Sequence, residues 1–237
     1  MPPSHPEPDN SPQQLAALRP SEYTAALIQV LRARAAQVRG AKALEIGSGS
    51  GVVLAAVGAL GAASLCGIDI ESTAVASGAL LLRGLGYDNN VQMYQGDMWL
   101  PVAGRQFDLI TANLPHFPME PREIAGRLPS WSWGGPDGRC LIDRFLGGLA
   151  AHLAPGGRAI ITHSSFVDVE LSCAIVARGG LSLRLAMTVL VHIPSEKLSV
   201  MTPSILCREE ERSIFRYGPY AFADMHIVEI GAPATLG

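Results

Sequence analysis

Short runs of apolar residues alternate along the chain with stretches in which apolar residues recur at helical spacing. The runs predict seven strands, at 43–46, 64–70, 91–94, 107–112, 158–163, 183–193 and 226–230. The stretches between them predict helices at 52–60, 73–85, 139–153 and 169–178, after a first helix at 21–38. Strands that alternate with helices are typical of a doubly wound, mostly parallel sheet. We therefore expect an α/β fold.

Two segments do not follow this alternation. Residues 1–19 are rich in proline and polar residues, and we expect a disordered tail ahead of one domain at 20–237. Residues 194–225 contain a charged run, Arg208 to Arg212, and an aromatic cluster around Tyr217 and Tyr220. Such a segment is usually solvated surface, and a lid or a contact between subunits is the alternative.

Composition limits the possible functions. With 48% hydrophobic and 16% charged residues, the 237-residue chain can bury a sizeable core. A net charge of −3 argues against a nucleic-acid partner. The four cysteines form no CxxC pair, and the histidines show no metal-ligand spacing, so we expect a reduced cytoplasmic protein without a metal. No apolar run is long enough to span a membrane, and we expect no signal segment, because the first residues lack a basic and apolar pattern.

A glycine-rich turn follows the first predicted strand, and it is the strongest chemical signal in the chain. Glu45 is followed by Gly47, Ser48, Gly49 and Gly51. Glycines between a strand and a helix allow the backbone to approach a ligand closely, and the helix N-terminus favours a negative group. A dinucleotide fingerprint would place its third glycine one residue later. A tight turn without a ligand is the structural alternative.

Polar residues also follow the next three predicted strands, where a doubly wound sheet binds its ligand. Asp69 and Ile70 end the second strand, and the Asp69 carboxylate suits the two hydroxyls of a ribose or, alternatively, a helix cap. Asp97 and Met98 follow the third strand and suit an adenine ring, although Gly-Asp is also a common turn. The fourth strand ends in a tetrad, Asn113-Leu114-Pro115-His116.

Together, these motifs resemble those of the class I S-adenosylmethionine-dependent methyltransferases, which have a Rossmann-like fold. The segments 20–24 and 134–138 narrow the resemblance to the HemK-type family, which methylates the N5 atom of glutamine in translation release factors. It implies S-adenosyl-L-methionine as cofactor, with Asn113, Pro115 and His116 at the methyl acceptor. The implied cofactor-binding residues are Glu45, Gly47, Ser48, Gly49, Gly51, Asp69, Ile70, Asp97, Met98 and Asn113.

The tetrad departs from the family's Asn-Pro-Pro-Tyr at its second and fourth positions. The Asn113 amide and the Leu114 carbonyl can still bind the N–H groups of an acceptor. His116 replaces the tyrosine that stacks on a planar acceptor, so it acts either as a stacking platform or as a general base. Beyond the tetrad, Trp131 and Trp133 are candidate walls of the acceptor pocket, and His163 faces either the cleft or the core.

The expected function is transfer of a methyl group to a nitrogen of the glutamine-N5 type or a related amine. The partner is then a release-factor-like protein or a small-molecule acceptor. One alternative is an N- or O-methyltransferase of small molecules with His116 as base. A cofactor-binding subunit without catalysis is another, and a homodimer or a complex with a partner subunit is possible. A tail and one helix stand where the family's long bacterial members have a helical recognition domain, so we expect a release factor to dock on a different surface or through a partner subunit.

Overall fold

Helix α1 (Glu22–Ala33) and the short helix α2 (Ala35–Val38) precede the sheet in the computed structural model, which describes residues 20–120 and 132–236. The expected tail at 1–19 lies outside the described residues. The sequence predicted one helix over 21–38, but the backbone leaves helical geometry at Arg34 (φ −108°, ψ 22°). At the other end of α1, the Ser21 N–H donates to the Thr24 hydroxyl at 3.3 Å, so a polar side chain binds a backbone group that the helix leaves free.

Strands and helices then alternate much as the hydrophobic pattern predicts. The described strands are β1 (Lys42–Ile46), β2 (Ser64–Asp69), β3 (Val91–Gln95), β4 (Phe107–Ala112), β5 (Leu153–Ser164), β6 (Ser182–Ile193), β7 (Ile214–Tyr217) and β8 (Tyr220–Gly231). The remaining helices are α3 (Val52–Ala59), α4 (Ser72–Gly84), α5 (Cys140–His152), α6 (Val169–Ala177), α7 (Ser195–Leu198), α8 (Pro203–Glu209) and α9 (Pro233–Leu236). None of these helices is long and apolar enough to cross a membrane.

The sheet has the order β3-β2-β1-β4-β5-β8-β6, with β7 paired to β8. Strands β1 to β5 pair in parallel, whereas β8 is antiparallel to β5, β6 and β7. The α/β class and the mostly parallel sheet are therefore confirmed. The order reverses at β1, between β2 and β4, and such a switch point is where open α/β sheets bind ligands.

The described part of the chain contains eight strands, one more than the sequence predicted. Strand β7 was missed because it has only four residues, ends in a charged and an aromatic side chain, and shows no apolar alternation. It lies inside segment 194–225, which also contains α7 and α8. Strands β5 and β8 begin earlier than predicted, because pairing extends into residues without an apolar run.

The core lies on both faces of the sheet, and a third apolar cluster lies at one end. Helices α1, α3 and α4 pack on one face, and α5 and α6 pack on the other. The third cluster joins the loop after β4 to segment 194–225 through Phe117, Met119, Phe166, Ile193, Val200, Met201, Ile205, Ile214, Ala221 and Ala223. This cluster supports the loop that follows the tetrad.

Candidate active site

A cavity of about 490 Å³ opens at the carboxyl ends of β1, β2, β3 and β4. Ligand pockets usually measure about 300–1,000 Å³, so it has room for a nucleoside-sized ligand. Most of the predicted site residues line it, namely Glu45, Gly47, Ser48, Gly49, Asp69, Ile70, Asp97, Met98, Asn113 and Pro115. Gly51 and His116 are not among the described lining residues. The structure thus brings the ends of four strands together at one site.

The glycine turn is held by backbone contacts. The N–H groups of Gly47 and Ser48 donate to the Ile68 carbonyl at 2.8 and 3.0 Å, and Gly47 has a positive φ of 70°. At Gly51 (φ 77°) a Cβ atom would lie 2.9 Å from the Cα atom of Gly78 in α4. The absent side chain at Gly51 allows α3 and α4 to pack closely, and its contact with the cofactor stays a prediction.

Glu45 is a buried acid with an unsatisfied oxygen. The residue is 2% exposed, and Oε2 finds no hydrogen-bond donor among the described residues. Burial raises its pKa well above the ordinary value. A carboxylate that lines a cavity without a donor suits a ligand that brings one, such as an ammonium group. This observation fits the amino-acid end of S-adenosylmethionine.

The Asp69 carboxylate connects two loops of the cavity. Its Oδ2 accepts from the Gly49 N–H at 2.8 Å, and its Oδ1 accepts from the Glu71 N–H at 3.0 Å. Glu71 is the N-cap residue of α4 and its own side chain makes no capping hydrogen bond, so Asp69 also binds a backbone group at the start of that helix. Each carboxylate oxygen keeps lone pairs that a ribose hydroxyl can use. Asp69 therefore orders the glycine turn in addition to facing the cavity.

Asp97 has a partner that the sequence did not indicate. Arg144 of α5 donates to its Oδ2 at 2.5 Å, and both side chains are more than 40% exposed. The next residue, Met98, is buried with a positive φ of 52°. A non-glycine residue in that region is strained, and such strain is common at functional sites. A signal for the Arg144 contact is absent from the sequence, because 47 residues separate the two partners.

Asn113 lies at the carboxyl end of β4, between two threonine hydroxyls. Thr162 of β5 donates to Asn113 Oδ1 at 2.9 Å, and Asn113 Nδ2 donates to Thr24 Oγ1 of α1 at 3.5 Å. Both threonines are buried. Sequence reasoning missed Thr162, which lies 49 residues away. The side-chain amide of Asn113 is thus held on both sides while it lines the cavity.

His116 lies behind the tetrad. Its Nδ1 is 2.8 Å from the Leu114 carbonyl oxygen, and because that oxygen only accepts, Nδ1 carries the proton. Burial lowers its pKa to about 4, although the hydrogen bond to Leu114 partly offsets this. Both roles expected for His116 need contact with the acceptor, and the ring is absent from the described cavity wall. The observed role of the imidazole is to support the Leu114 carbonyl, and its contact with the acceptor stays a prediction.

The segment 134–138 packs directly against the backbone of His116. A Cβ atom on Gly134 would lie 2.6 Å from His116 Cα, and one on Gly138 would lie 2.6 Å from the His116 carbonyl oxygen. The Gly134 N–H also donates to the Phe117 carbonyl at 2.9 Å. These contacts require glycine at both positions, and they explain why the segment accompanies the tetrad.

The remaining candidates fall in different places. Trp133 lines the cavity and donates to the Met119 carbonyl at 3.0 Å, whereas Trp131 lies outside the described residues. His163 is fully buried, with its two ring nitrogens 3.0 Å from the Ser164 carbonyl and 2.9 Å from the Ser172 hydroxyl, so it belongs to the core. Within 20–120 and 132–236 we find no cluster of side chains arranged to hold a metal ion.

Comparison with known proteins identifies similar chains. Residues 43–128 match a family described as "Methyltransferase domain". The chain is 30% identical over 166 residues to a candidate protein N5-glutamine methyltransferase of Methanocaldococcus jannaschii, covering 69% of this chain and 81% of that protein. It is 28% identical over 151 residues to a release factor glutamine methyltransferase of Gloeobacter violaceus, and this match covers 60% of the chain but only 52% of that relative's length.

Among solved structures, the fold is similar to that of the Mtq2–Trm112 complex of E. cuniculi, which methylates the translation termination factor eRF1. The TM-score is 0.60 at 15% identity, over 90% of this chain and 97% of the other. At this level of identity the likeness concerns the fold.

Proposed function

Because the chain belongs to the class I S-adenosylmethionine-dependent methyltransferases and is related to their protein glutamine-N5 members, we propose that it methylates a glutamine side-chain amide of a protein in the translation machinery. The observation that carries the proposal is the polar frame formed by Asn113 and Leu114. An amide oxygen and a backbone carbonyl follow β4 at the wall of the cavity. Two acceptors of this kind suit the two N–H groups of a primary amide.

The cofactor is assigned to the other end of the same cavity. Glu45 would hold its amino group, Asp69 its ribose hydroxyls, and Asp97 and Met98 its adenine. S-adenosylmethionine supplies a methyl group on a positively charged sulfur. The contribution of the protein is orientation, since alignment of two bound reactants is worth about 7–11 kcal/mol in the best intramolecular cases.

A glutamine acceptor agrees with the chemistry of His116. A hydroxyl or an alkylammonium acceptor must lose a proton before methyl transfer, and this requires a base with a pKa near the working pH. Burial lowers the pKa of His116 to about 4, and its ring is absent from the described cavity wall. An amide can lose its proton after transfer. The small-molecule alternative with His116 as base therefore loses its main support.

The test separates cofactor binding from the acceptor. Calorimetry should detect binding of S-adenosylmethionine and of its demethylated product. Labelled cofactor should then transfer its methyl group to an unmethylated translation release factor, and mass spectrometry should locate the label on a glutamine. Protein, RNA and small-molecule fractions of a cell extract serve as parallel acceptors. Label that appears only in RNA or small molecules would overturn the glutamine assignment.

Asn113→Ala provides the matched variant. The side-chain amide is expected to act on the acceptor more than on the cofactor, so the variant should keep most of its affinity for the demethylated cofactor. Turnover should fall by about 100-fold, as expected when an interaction orients the nucleophile. Wild-type turnover in this variant would remove Asn113 from the mechanism.

A further inference from the structure

A side-chain amide can serve the acceptor in only one of its two orientations. If Asn113 binds an acceptor N–H, its oxygen must face the acceptor, and a rotation by 180° would present an NH₂ group instead. The exchange of oxygen and nitrogen leaves the shape of the amide unchanged. Packing therefore does not select the orientation, and hydrogen-bond partners must do so.

The partner of the Asn113 oxygen is Thr162. Its Oγ1 lies 2.9 Å from Asn113 Oδ1, and the residue is 2% exposed. Thr162 lies in β5, between β4 and β8, where its β-branched side chain has few rotamers. A hydroxyl that donates to Oδ1 leaves one lone pair of that oxygen for an acceptor. On the other side, the NH₂ group is 3.5 Å from the Thr24 hydroxyl.

We propose that Thr162 is a positioning residue of the methyl acceptor site, which holds the Asn113 amide in place by a hydrogen bond to its oxygen. This inference rests on the proposed function, because it concerns the acceptor of the same reaction. Thr162 is absent from the described cavity wall and acts through Asn113 alone. Its hydroxyl matters to the acceptor and leaves cofactor binding untouched.

The test compares three variants at one position and a control at another. Thr162→Val keeps the shape and removes the hydroxyl, and kcat should fall by about tenfold, the value of one hydrogen bond. Thr162→Ser should restore kcat to within about threefold of the wild type. The KM for S-adenosylmethionine should stay within about twofold in both. Thr162→Cys keeps the size with a weak donor and replaces the valine variant should that one fail to fold.

Thr111→Val is the matched control. Thr111 is buried in the neighbouring strand β4, and its hydroxyl donates to the Leu44 carbonyl at a long 3.4 Å. The substitution removes a buried hydroxyl from the same sheet, but kcat should be unchanged. Equal losses of kcat in Thr111→Val and Thr162→Val would indicate a general structural effect and overturn the proposal.

A double-mutant cycle with Asn113→Ala gives the sharpest readout. If Thr162 acts through Asn113, then Thr162→Val should reduce kcat about tenfold in the wild type and have no further effect when Asn113 is already alanine. Additive losses would overturn the inference while leaving the proposed function intact. Failure of the wild type to methylate a release factor would instead contradict the proposed function, so the two failures are distinguishable.

Discussion

The packing of segment 134–138 against the tetrad predicts a specific cost for Gly138→Ala. Gly138 has a φ of 77°, and an alanine Cβ would lie 2.6 Å both from the His116 carbonyl oxygen and from Val167 Cγ1. A left-handed backbone costs a non-glycine residue about 1–2 kcal/mol. Overpacking against a buried backbone costs about 1–3 kcal/mol more. The free energy of unfolding should therefore fall by about 2–5 kcal/mol in total.

Gly104→Ala isolates the first contribution. Gly104 has a similar φ of 75°, but a Cβ atom there would meet no described atom within 4 Å. Gly104→Ala should therefore lower the free energy of unfolding by only about 1–2 kcal/mol, the cost of the backbone conformation alone. Urea unfolding of both variants with equal m values measures the difference, which we expect to be about 1–3 kcal/mol.

Activity provides a second measurement of the same contact. A displaced His116 backbone moves the Leu114 carbonyl, because the imidazole Nδ1–H donates to that oxygen. Gly138→Ala should therefore lower turnover on the protein acceptor and keep the affinity for the demethylated cofactor, whereas Gly104→Ala should keep both. If the two variants unfold within about 0.5 kcal/mol of each other, the steric argument is refuted.

Three further substitutions test other parts of the molecule. Glu229→Gln should lower stability by about 1–3 kcal/mol, less than for a fully buried pair because Arg34 and Arg184 are partly exposed. Burial raises the pKa of Glu229, but hydrogen bonds from its arginines more than offset this and hold it below 4.5. The ion pairs of Glu229 therefore stabilise the fold above that pH, and their effect is lost as the pH falls further. Between pH 6 and 3, the free energy of unfolding should fall more in the wild type than in the variant. Parallel curves of this free energy against pH would contradict the prediction. The pKa of His116 is lowered to about 4, so its titration should not contribute to the pH–rate profile near 6.5. The profiles of the wild type and of His116→Tyr should therefore have the same shape near that pH. Asp69→Ala should weaken cofactor binding by about 1.5–3 kcal/mol in calorimetry, and unchanged affinity would remove it from the site.

The part of the site that could be predicted from the sequence follows from local patterns. Glu45 and Asp69 lie near the ends of predicted strands, and Asp97 and Asn113 follow the next two. Parallel strands bring such ends to one edge of the sheet. The order of the strands and helices along the chain was enough to predict that these residues lie at that edge. The hydrogen-bond partners of these residues could not be predicted in this way, because Asp97, for example, pairs with Arg144, which lies 47 residues further along the chain. Contacts over such separations depend on tertiary packing.

The surroundings of two further candidate residues depend on tertiary packing in the same way. His116 was expected at the acceptor because of its place in the tetrad, but the direction of its ring depends on the hydrogen bond to Leu114 and on the close approach of segment 134–138. Gly51 was expected at the cofactor, yet it allows two helices to meet. Periodicity reports which face of an element is buried, and it does not report which neighbour lies there.

Helix α1 is attached to the rest of the molecule at both of its ends. Near its start, Thr24 contacts the Asn113 amide at 3.5 Å. Just after its end, Arg34 lies 3.4 Å from the buried Glu229 of β8. A chain shortened by deletion to begin at β1 would uncover the sheet face that Leu27, Val30 and Leu31 of α1 bury. It would also lose one contact to the acceptor site and one cation beside a buried carboxylate. Proteolytic removal of α1 should therefore leave a fragment that binds the cofactor weakly and no longer supports catalysis.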